Sequence, residues 1–357
     1  MSGNKNRYLK KIAQQQAAMT AKVNNEPCVH EFEATVGDKN LANKDVPPRE
    51  YIFHAEEAFG TRAGFLPSGE ACILAAPGGC GKTYLTMQAA IAASCGETWL
   101  HARALKPVSV LYLAAEEHDD ELARRFQSII SSMGLRDKPD KMALINNNLR
   151  LHSRLSKHER LITDDGKTAE LFTQLEFFLS KHPEIKLVIL DPASKYMGKD
   201  VETDNAKAQD WINLLSRLTL TPGRPSILVV HHLRKEGSKS KSIFKVDEKD
   251  ELPNLTMDDI RGASGIVNGF RWALILARRR YEDRSEKVFL QVTKSNYSKS
   301  SGALEFEVDE HHSGILKFKK VFSEYDVAKA STSNTYAPPR ANAIFVDTDD
   351  LINDGLF

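Results

Sequence analysis

The stretch ILAAPGGCGKTYLTMQAAIAASC, from Ile73 to Cys95, constrains the fold more than any other part of the sequence. An apolar, strand-like run (71–75) leads into three closely spaced glycines, and a helical run opens at Lys82 and Thr83. Small residues let backbone N–H groups close around phosphate oxygens, and the helix N-terminus adds its positive end. The pattern therefore predicts a strand, a phosphate-binding loop and a helix, in an α/β protein that binds a nucleoside triphosphate.

The loop residues expected to contact the nucleotide are Ala76, Pro77, Gly78, Gly79, Cys80, Gly81, Lys82 and Thr83. We expect Lys82 to reach the β- and γ-phosphates and the Thr83 hydroxyl to ligate Mg²⁺. Ala76 stands where the strict pattern has glycine, and another small residue can still make the turn.

Composition excludes several other classes of protein. The net charge of +1 does not mark a nucleic-acid binder, so such a role would need a local basic patch. The four cysteines lack C-x-x-C spacing, which argues against a zinc site and against a disulfide framework. The sequence has no apolar stretch of membrane-spanning length and no secretory signal at Met1–Arg7, which predicts a cytoplasmic protein without a membrane partner.

The chain divides into three predicted parts. Residues 1–50 are polar, with a possible short helix (AQQQAAMTAK) and a linker (DVPPRE). Residues 51–325 carry the recurring apolar runs of an α/β domain. Residues 326–357 are predicted to be a flexible tail with an acidic C-terminal end.

The apolar runs predict a mostly parallel sheet covered on both faces. VSVLYLAA, IKLVILD and PSILVVHH are near-continuous apolar strands that alternate with helical segments. FRWALILAR, KVFLQVTKS, ALEFEVD and GILKFKKV follow at short spacing, which indicates a C-terminal antiparallel extension of the sheet.

Polar residues follow three of the buried strands. Asp191 closes LVILD and is a candidate Mg²⁺ carboxylate, although it could instead cap the following turn. Pro192 stands where many P-loop ATPases carry a catalytic glutamate, so Glu116, after LYLAA, is the candidate for activating water. The alternatives are an acidic helix start or the neighbouring Glu117. His232 ends SILVVHH and could donate to the γ-phosphate, or the strand-end histidines could simply be satisfied by backbone.

Six motifs occur in a characteristic order: APGGCGKT, LYLAAEE, LVILDP, ILVVHHLRK, IRGASGIVNGFRWAL and VTKSNYS. On these motifs the chain resembles RecA-fold ATPases over about residues 64–318. It is most similar to the hexameric replicative helicases of the RepA type from broad-host-range plasmids, and to related phage and mobile-element ATPases. The resemblance implies a RecA-like P-loop NTPase fold at 51–325, ATP and Mg²⁺ as cofactors, and assembly into a homo-oligomer, which is a hexameric ring in that family.

The resemblance also implies roles for single residues. Lys82 matches the lysine that contacts phosphate, and Thr83 matches the residue that ligates Mg²⁺. Glu116 matches the glutamate that activates water, and Asp191 matches the carboxylate that holds Mg²⁺. His232 matches the γ-phosphate sensor, and Arg271 matches an arginine finger that reaches a neighbouring subunit's nucleotide. Arg261 and Lys294 fall in other shared motifs. A guanidinium at Arg271 could stabilise transferring phosphoryl charge, or it could pair with a nearby carboxylate.

A long segment between the third strand and Arg261 is the candidate DNA contact. Its first half is basic and carries Arg234, Lys235, Lys239 and Lys241. A basic, Gly/Ser-rich loop suits contact with the backbone of single-stranded DNA without base readout. The alternative is an exposed loop whose acidic second half cancels part of the charge. RRRYEDR (278–284) could be a second patch, but charged turns are usually solvated.

Together these features predict an ATP-hydrolysing ring that translocates on single-stranded DNA, a helicase of a plasmid, phage or integrated element. One alternative is a DNA-dependent ATPase that does not unwind, such as a recombination mediator or helicase loader. The other is an ATP-switched interaction protein. The tail DTDDLINDGLF resembles the acidic, Phe-terminated tips by which bacterial single-strand-binding proteins recruit replication or repair partners, or it is only solubilising.

Overall fold

The computed structural model describes residues 35–54, 64–155, 157, 160–233, 252, 255–280, 286–297, 302–308, 316–323 and 326. The chain divides into two units, Met1–Pro48 and Arg49–Phe357, and the boundary falls within the stretch DVPPRE. In the first unit the described residues form turns, where the Asp38 carboxylate accepts hydrogen bonds from the backbone and hydroxyl of Thr35. The possible helix AQQQAAMTAK and the tail beyond residue 326 lie outside the described residues, so both stay predictions.

The second unit holds the strands and helices. The strands are β1 (Tyr51–His54), β2 (Gly64–Pro67), β3 (Ala71–Ala76), β4 (Thr98–Trp99), β5 (Ala102–Arg103), β6 (Ser109–Ala114), β7 (Leu149–Ser153), β8 (Ile185–Asp191), β9 (Ser226–His232), β10 (Trp272–Arg280), β11 (Glu286–Ser295), β12 (Ala303–Val308) and β13 (Leu316–Phe322). The helices are α1 (Lys82–Cys95), α2 (Asp119–Ser132), α3 (Pro139–Asn148), α4 (Glu170–Lys181), α5 (Ala193–Tyr196), α6 (Asn205–Leu218) and α7 (Ser264–Gly269), with a 3₁₀ turn at Met257–Asp259.

The main sheet has the strand order β13-β12-β11-β10-β3-β9-β8-β6-β7. The strands from β10 to β7 pair in parallel, whereas β10, β11, β12 and β13 pair with one another antiparallel. The predicted mostly parallel sheet with an antiparallel C-terminal extension is therefore confirmed.

Strand β3 lies near the centre of this sheet and is buried on both faces. Cys72, Leu74 and Ala76 pack into the core on the side of α1, whereas Ala71, Ile73 and Ala75 pack into the core on the opposite side. Successive side chains of a strand point to opposite faces, so a strand covered on both sides must be apolar throughout. This is why the run before the glycines is continuous rather than alternating.

Helices cover both faces, as the sequence predicts. Helices α1, α2 and α3 contribute buried residues to one core, and α4 to α7 contribute to the other. Helix α6 shows how the pattern works, because Ala208, Trp211, Ile212, Leu215 and Leu218 recur at helical spacing and are buried. The Asp204 carboxylate caps its N-terminus by accepting hydrogen bonds from the next backbone N–H groups.

Some elements are absent from the sequence prediction. Helix α3 and the edge strand β7 complete the sheet beside β6, and a small separate sheet has the order β2-β1-β5-β4. Strand β7 mixes apolar and charged residues and is only half-buried, which is typical of an edge strand and gives a weak sequence signal. Within the described part of the chain, none of the helices has the length and apolar character needed to cross a membrane.

Candidate functional site

The loop after β3 connects a buried strand directly to a helix. Gly79 and Gly81 have φ angles of 73° and 86°, in the left-handed region that glycine adopts without strain. A Cβ atom added at Gly78 or Gly79 would meet nothing within 4 Å, so the space above the loop is open. The loop thus leaves room for a group at the positive end of the 14-residue helix α1.

The Lys82 side chain is buried beneath this loop. Its Nζ lies 2.9 Å from the Pro77 carbonyl oxygen, 3.3 Å from that of Ala76 and 3.3 Å from His232 Nδ1. Burial lowers the pKa of Lys82, and the nearby acidic groups at Cys80, Asp191 and Glu116 oppose this shift. A buried ammonium group with only carbonyl and imidazole partners at hydrogen-bond distance is well suited to receive an anionic phosphate.

Asp191 is held in a buried hydrogen-bonded chain at the end of β8. The Tyr112 hydroxyl donates to Asp191 Oδ2 at 2.7 Å, and Thr86 Oγ1 lies 2.9 Å from the Tyr112 oxygen. Burial raises the pKa of Asp191, while hydrogen bonds from Tyr112 and Thr83 and the charge of Lys82 lower it. Tyr112 was missed from the sequence because it stands within the apolar run VLYLAA, where the pattern indicates burial and not a polar contact.

Thr83 and Asp191 fit a magnesium ion. The Thr83 side chain lies close enough to Asp191 to lower the pKa of that carboxyl, so a hydroxyl and a carboxylate oxygen converge beside the open loop. Across the described ranges no cluster of three or more His, Cys, Asp and Glu could hold a metal on its own. Mg²⁺ binds through few protein oxygens and takes its other ligands from water and substrate phosphates. This donor set therefore suits Mg²⁺ that arrives with a nucleotide.

The two neighbouring glutamates have different surroundings. The exposed Glu116 is close enough to Lys82, Asp191 and His232 for its charge to affect their pKa values. Glu117 instead forms an ion pair with Arg125 of α2, with Oε1 and Nη2 2.9 Å apart. This favours Glu116 over Glu117 for activating water, and the assignment stays a prediction.

The two histidines at the end of β9 also differ. His232 is half-buried and contacts Lys82, and burial and the Lys82 charge lower its pKa. His231 is fully buried on the other face, where its Nε2 lies 2.8 Å from the Arg261 carbonyl oxygen. Burial lowers the pKa of His231 to about 4, so it is neutral near pH 7 and donates to that carbonyl. His232 is thus the histidine that the fold brings to Lys82.

The ends of the candidate DNA loop meet beside these histidines. Leu233 pairs with Ile260 in an antiparallel bridge, and its backbone N–H donates to the Ala76 carbonyl oxygen at 3.1 Å. The Arg261 N–H donates to the His232 carbonyl oxygen at 3.1 Å, and the Arg261 side chain pairs with Glu202 at 2.7 Å. The basic residues themselves, Arg234, Lys235, Lys239 and Lys241, lie outside the described residues.

Arg271 lies at the opposite end of the parallel strands, where β3 begins. It is exposed, and the next residue, Trp272, pairs in parallel with Cys72 near the start of β3. Arg271 is level with the start of β3, and the five steps from Ala71 to Ala76 separate it from its own phosphate-binding loop by about 17 Å at 3.3 Å per step. Lys294 lies near it, where burial and the Arg271 charge lower the Lys294 pKa. Arg271 cannot serve its own loop, so its predicted finger role requires a second subunit.

Comparison with known proteins gives one family. A family model described as an AAA domain matches residues 43–238, which is more than half of the chain. The match includes the strand and loop of the phosphate site, Glu116, Asp191 and His232, and it ends before β10. No curated protein matches the chain.

The geometry separates the two glutamates in a way that mutation can test. We expect Glu116→Gln to keep ATP binding and to lose hydrolysis by about 100-fold or more, because only activation of water is removed. The matched control Glu117→Gln should keep most of its turnover, since Glu117 is engaged with Arg125. Turnover and nucleotide titrations measure both effects, and an active Glu116→Gln beside an inactive Glu117→Gln would contradict the assignment.

Tyr112→Phe tests the hydrogen bond that holds Asp191. The hydroxyl lowers the Asp191 pKa, so its removal raises that pKa further and the carboxylate is protonated at a higher pH. We expect the acid limb of the ATPase pH profile to move upward and stability to fall by about 1–2 kcal/mol.

The matched control is Tyr196→Phe, which removes an equally buried hydroxyl that donates to the Leu113 carbonyl oxygen at 2.9 Å. It should lose stability by a similar amount and leave the pH profile in place. Equal pH profiles for the two variants would show that Tyr112 only supports packing.

Proposed function

We propose that this chain, which belongs to the AAA domain family of P-loop ATPases, is a ring-forming motor that moves along single-stranded DNA. Family membership supports nucleotide hydrolysis. The finer proposal is a replicative helicase of the RepA type, carried by a plasmid, phage or integrated element, with ATP and Mg²⁺ as cofactors and copies of the same chain as neighbours.

Each side chain of the site has a separate role in the proposed hydrolysis. Lys82 binds the phosphates, Thr83 and Asp191 hold Mg²⁺, and bound Mg²⁺ neutralises charge on the phosphate oxygens. Glu116 accepts a proton from the attacking water, whose position it fixes from the end of β6. Tyr112 orients the Asp191 carboxylate by donating to Oδ2, and this hydrogen bond opposes the rise in pKa that burial causes.

One observation carries the proposal of a motor. Both ends of the candidate DNA loop are hydrogen-bonded to the nucleotide site, Leu233 to Ala76 and Arg261 to His232. A change at the phosphates that moves His232 or Ala76 therefore acts directly on the ends of that loop. Such a short path is what conversion of hydrolysis into loop movement requires.

The charge distribution favours single-stranded DNA as the track. Since the net charge is only +1, attraction to phosphates must come from the cluster of basic residues in the loop. Lysines that contact phosphates release counterions, which makes binding steeply dependent on salt and nearly independent of sequence.

Assembly follows from the position of Arg271. If this exposed guanidinium stabilises phosphoryl charge, it does so at the nucleotide of a neighbouring copy, because its own loop lies at the other end of β3. The nucleotide would then lie between subunits, which requires assembly into a ring or a filament. The form that we propose is a hexameric ring.

Replacing Lys235, Lys239 and Lys241 together by Ala tests the track. Wild-type ATPase should rise with single-stranded DNA, and the variant should lose this stimulation while keeping basal hydrolysis. The salt dependence of DNA binding should fall by up to about three phosphate contacts.

A matched control replaces Lys317, Lys319 and Lys320 of β13, which removes the same charge at the far edge of the sheet. It should keep both stimulation and salt dependence. Assembled wild-type protein that shows neither DNA binding nor stimulation at low salt would contradict the motor and favour an ATP-switched interaction protein. Stimulated hydrolysis without strand separation would favour a mediator or loader.

Arg271→Ala tests the finger between subunits. The variant should bind ATP normally and hydrolyse it poorly. Mixing it with Lys82→Ala protein should restore some activity, because mixed interfaces join an intact Lys82 to an intact Arg271. The measurement is turnover against mixing ratio, with native mass spectrometry to establish mixed assemblies. Mixed rings with no recovery at any ratio would contradict a finger acting between subunits.

A further inference from the structure

Strand β10 extends beyond the strand that it accompanies. It pairs in parallel with β3 up to Ile275 and Ala75, and then continues to Arg280 while β3 gives way to the phosphate-binding loop. The last residues of β10 therefore lie beside that loop, on the side away from β9. The sequence predicts Arg278 in a charged, solvated turn, whereas it lies near the end of β10.

The alternation along β10 sends its arginines to opposite faces. Leu274 and Leu276 pack in the core on the side of α1, whereas Ile275 and Ala277 pack in the other core. Arg278 continues the first series, and it therefore points to the face that holds α1 and the loop. Arg279 continues the second series, and its Nη2 lies 3.2 Å from the Leu252 carbonyl oxygen.

Arg278 contacts the loop through its side chain. Its Nη1 lies 3.5 Å from the Gly79 carbonyl oxygen, and its charge is close enough to the Cys80 thiol to lower the pKa of that thiol. Burial raises the pKa of that thiol, against the charges of Lys82 and Arg278. Glu286 of β11 holds the guanidinium from the far side, with Oε2 3.0 Å from Arg278 Nε.

The contact with Gly79 fixes the direction of one peptide group. A trans peptide is planar, and its carbonyl and N–H point in opposite directions. When Gly79 presents its carbonyl oxygen to Arg278, the Cys80 N–H must point away from β10. Gly79 has the left-handed φ of 73°, and a Cβ atom added there would meet nothing within 4 Å, so side-chain packing at Gly79 does not hold this peptide.

We propose that Arg278, held by Glu286, is a positioning residue that fixes the phosphate-binding loop from outside by binding the Gly79 carbonyl oxygen. It keeps the backbone N–H groups in the orientation that a polyphosphate needs, and it touches neither the nucleoside nor the attacking water. The inference rests on the nucleotide-binding part of the proposed function and is independent of DNA.

Preorganisation predicts a specific kinetic signature. Without Arg278 the loop must be ordered by the ligand itself, which weakens binding, whereas the reacting groups are unchanged once the ligand is bound. Arg278→Ala should therefore raise KM for ATP and Kd for ADP about 5- to 10-fold, with kcat within about twofold. Arg278→Lys keeps a charged donor and should recover most of the affinity, and Glu286→Gln should weaken it by about twofold.

Inorganic tripolyphosphate separates the loop from the rest of the nucleotide site. As a competitive inhibitor of full-length protein it carries the phosphates without a nucleoside, so Arg278→Ala should weaken tripolyphosphate and ATP by the same factor. The charge control is Lys287→Ala on β11, whose ammonium pairs with Glu305 at 3.1 Å and which should change neither. Thermal unfolding of each variant shows that the fold is kept.

Three results would overturn the inference. Unchanged ATP and ADP affinity in Arg278→Ala removes any positioning role. A loss for ATP with none for tripolyphosphate means that Arg278 contacts the nucleoside, and a fall in kcat at constant KM means that it acts on the reaction. Wild-type protein that binds no ATP would contradict the proposed function itself. If Arg278→Ala does not fold, Arg278→Met takes its place, because it keeps the length of the side chain and removes the charged donor, and unchanged ATP and ADP affinity in that variant decides against the inference.

Discussion

The burial of two opposite charges at the end of an apolar sheet is the constraint on which the site depends. Lys82 and Asp191 are both largely withdrawn from water, and an uncompensated charge in such a place costs several kcal/mol. The surrounding structure supplies the compensation. Loop carbonyls and His232 contact the ammonium, and Tyr112 with Thr83 contacts the carboxylate. The apolar strands exclude water, so the electrostatic interactions among the polar side chains at their ends are stronger than they would be in water.

The elements that carry these groups could be predicted from the sequence because they are buried on both faces. Strand β8 is apolar from Leu187 to Leu190, so Asp191 stands out as the point where the strand ends. Lys82 and Thr83 could be predicted because the glycine-rich loop before them contrasts sharply with the apolar strand β3. Edge strand β7 and helix α3 lack this contrast, because both are only partly buried and mix polar with apolar residues.

Other features depend on strand register, which a single sequence does not reveal. Tyr112 contacts Asp191 because β6 and β8 pair so that Tyr112 faces Ile189, two residues before the carboxylate. The separation of Arg271 from its own loop, and the approach of Arg278 to that loop, both follow from the pairing of Trp272 with Cys72. Arg271, just before β10, and Arg278, near its end, thus lie at opposite ends of the parallel strands, although the sequence shows only arginines on either side of an apolar run.

The hydrogen bond between Leu233 and Ala76 has a thermodynamic consequence. These residues begin the long loop and the phosphate-binding loop, and each is the other's backbone partner. Free-energy coupling between two binding sites is reciprocal. A molecule that binds the long loop and tightens nucleotide binding by some factor must itself bind more tightly by that factor when nucleotide is present. Titrating either ligand, once with and once without the other, therefore determines how strongly the two loops communicate, whatever molecule the long loop receives.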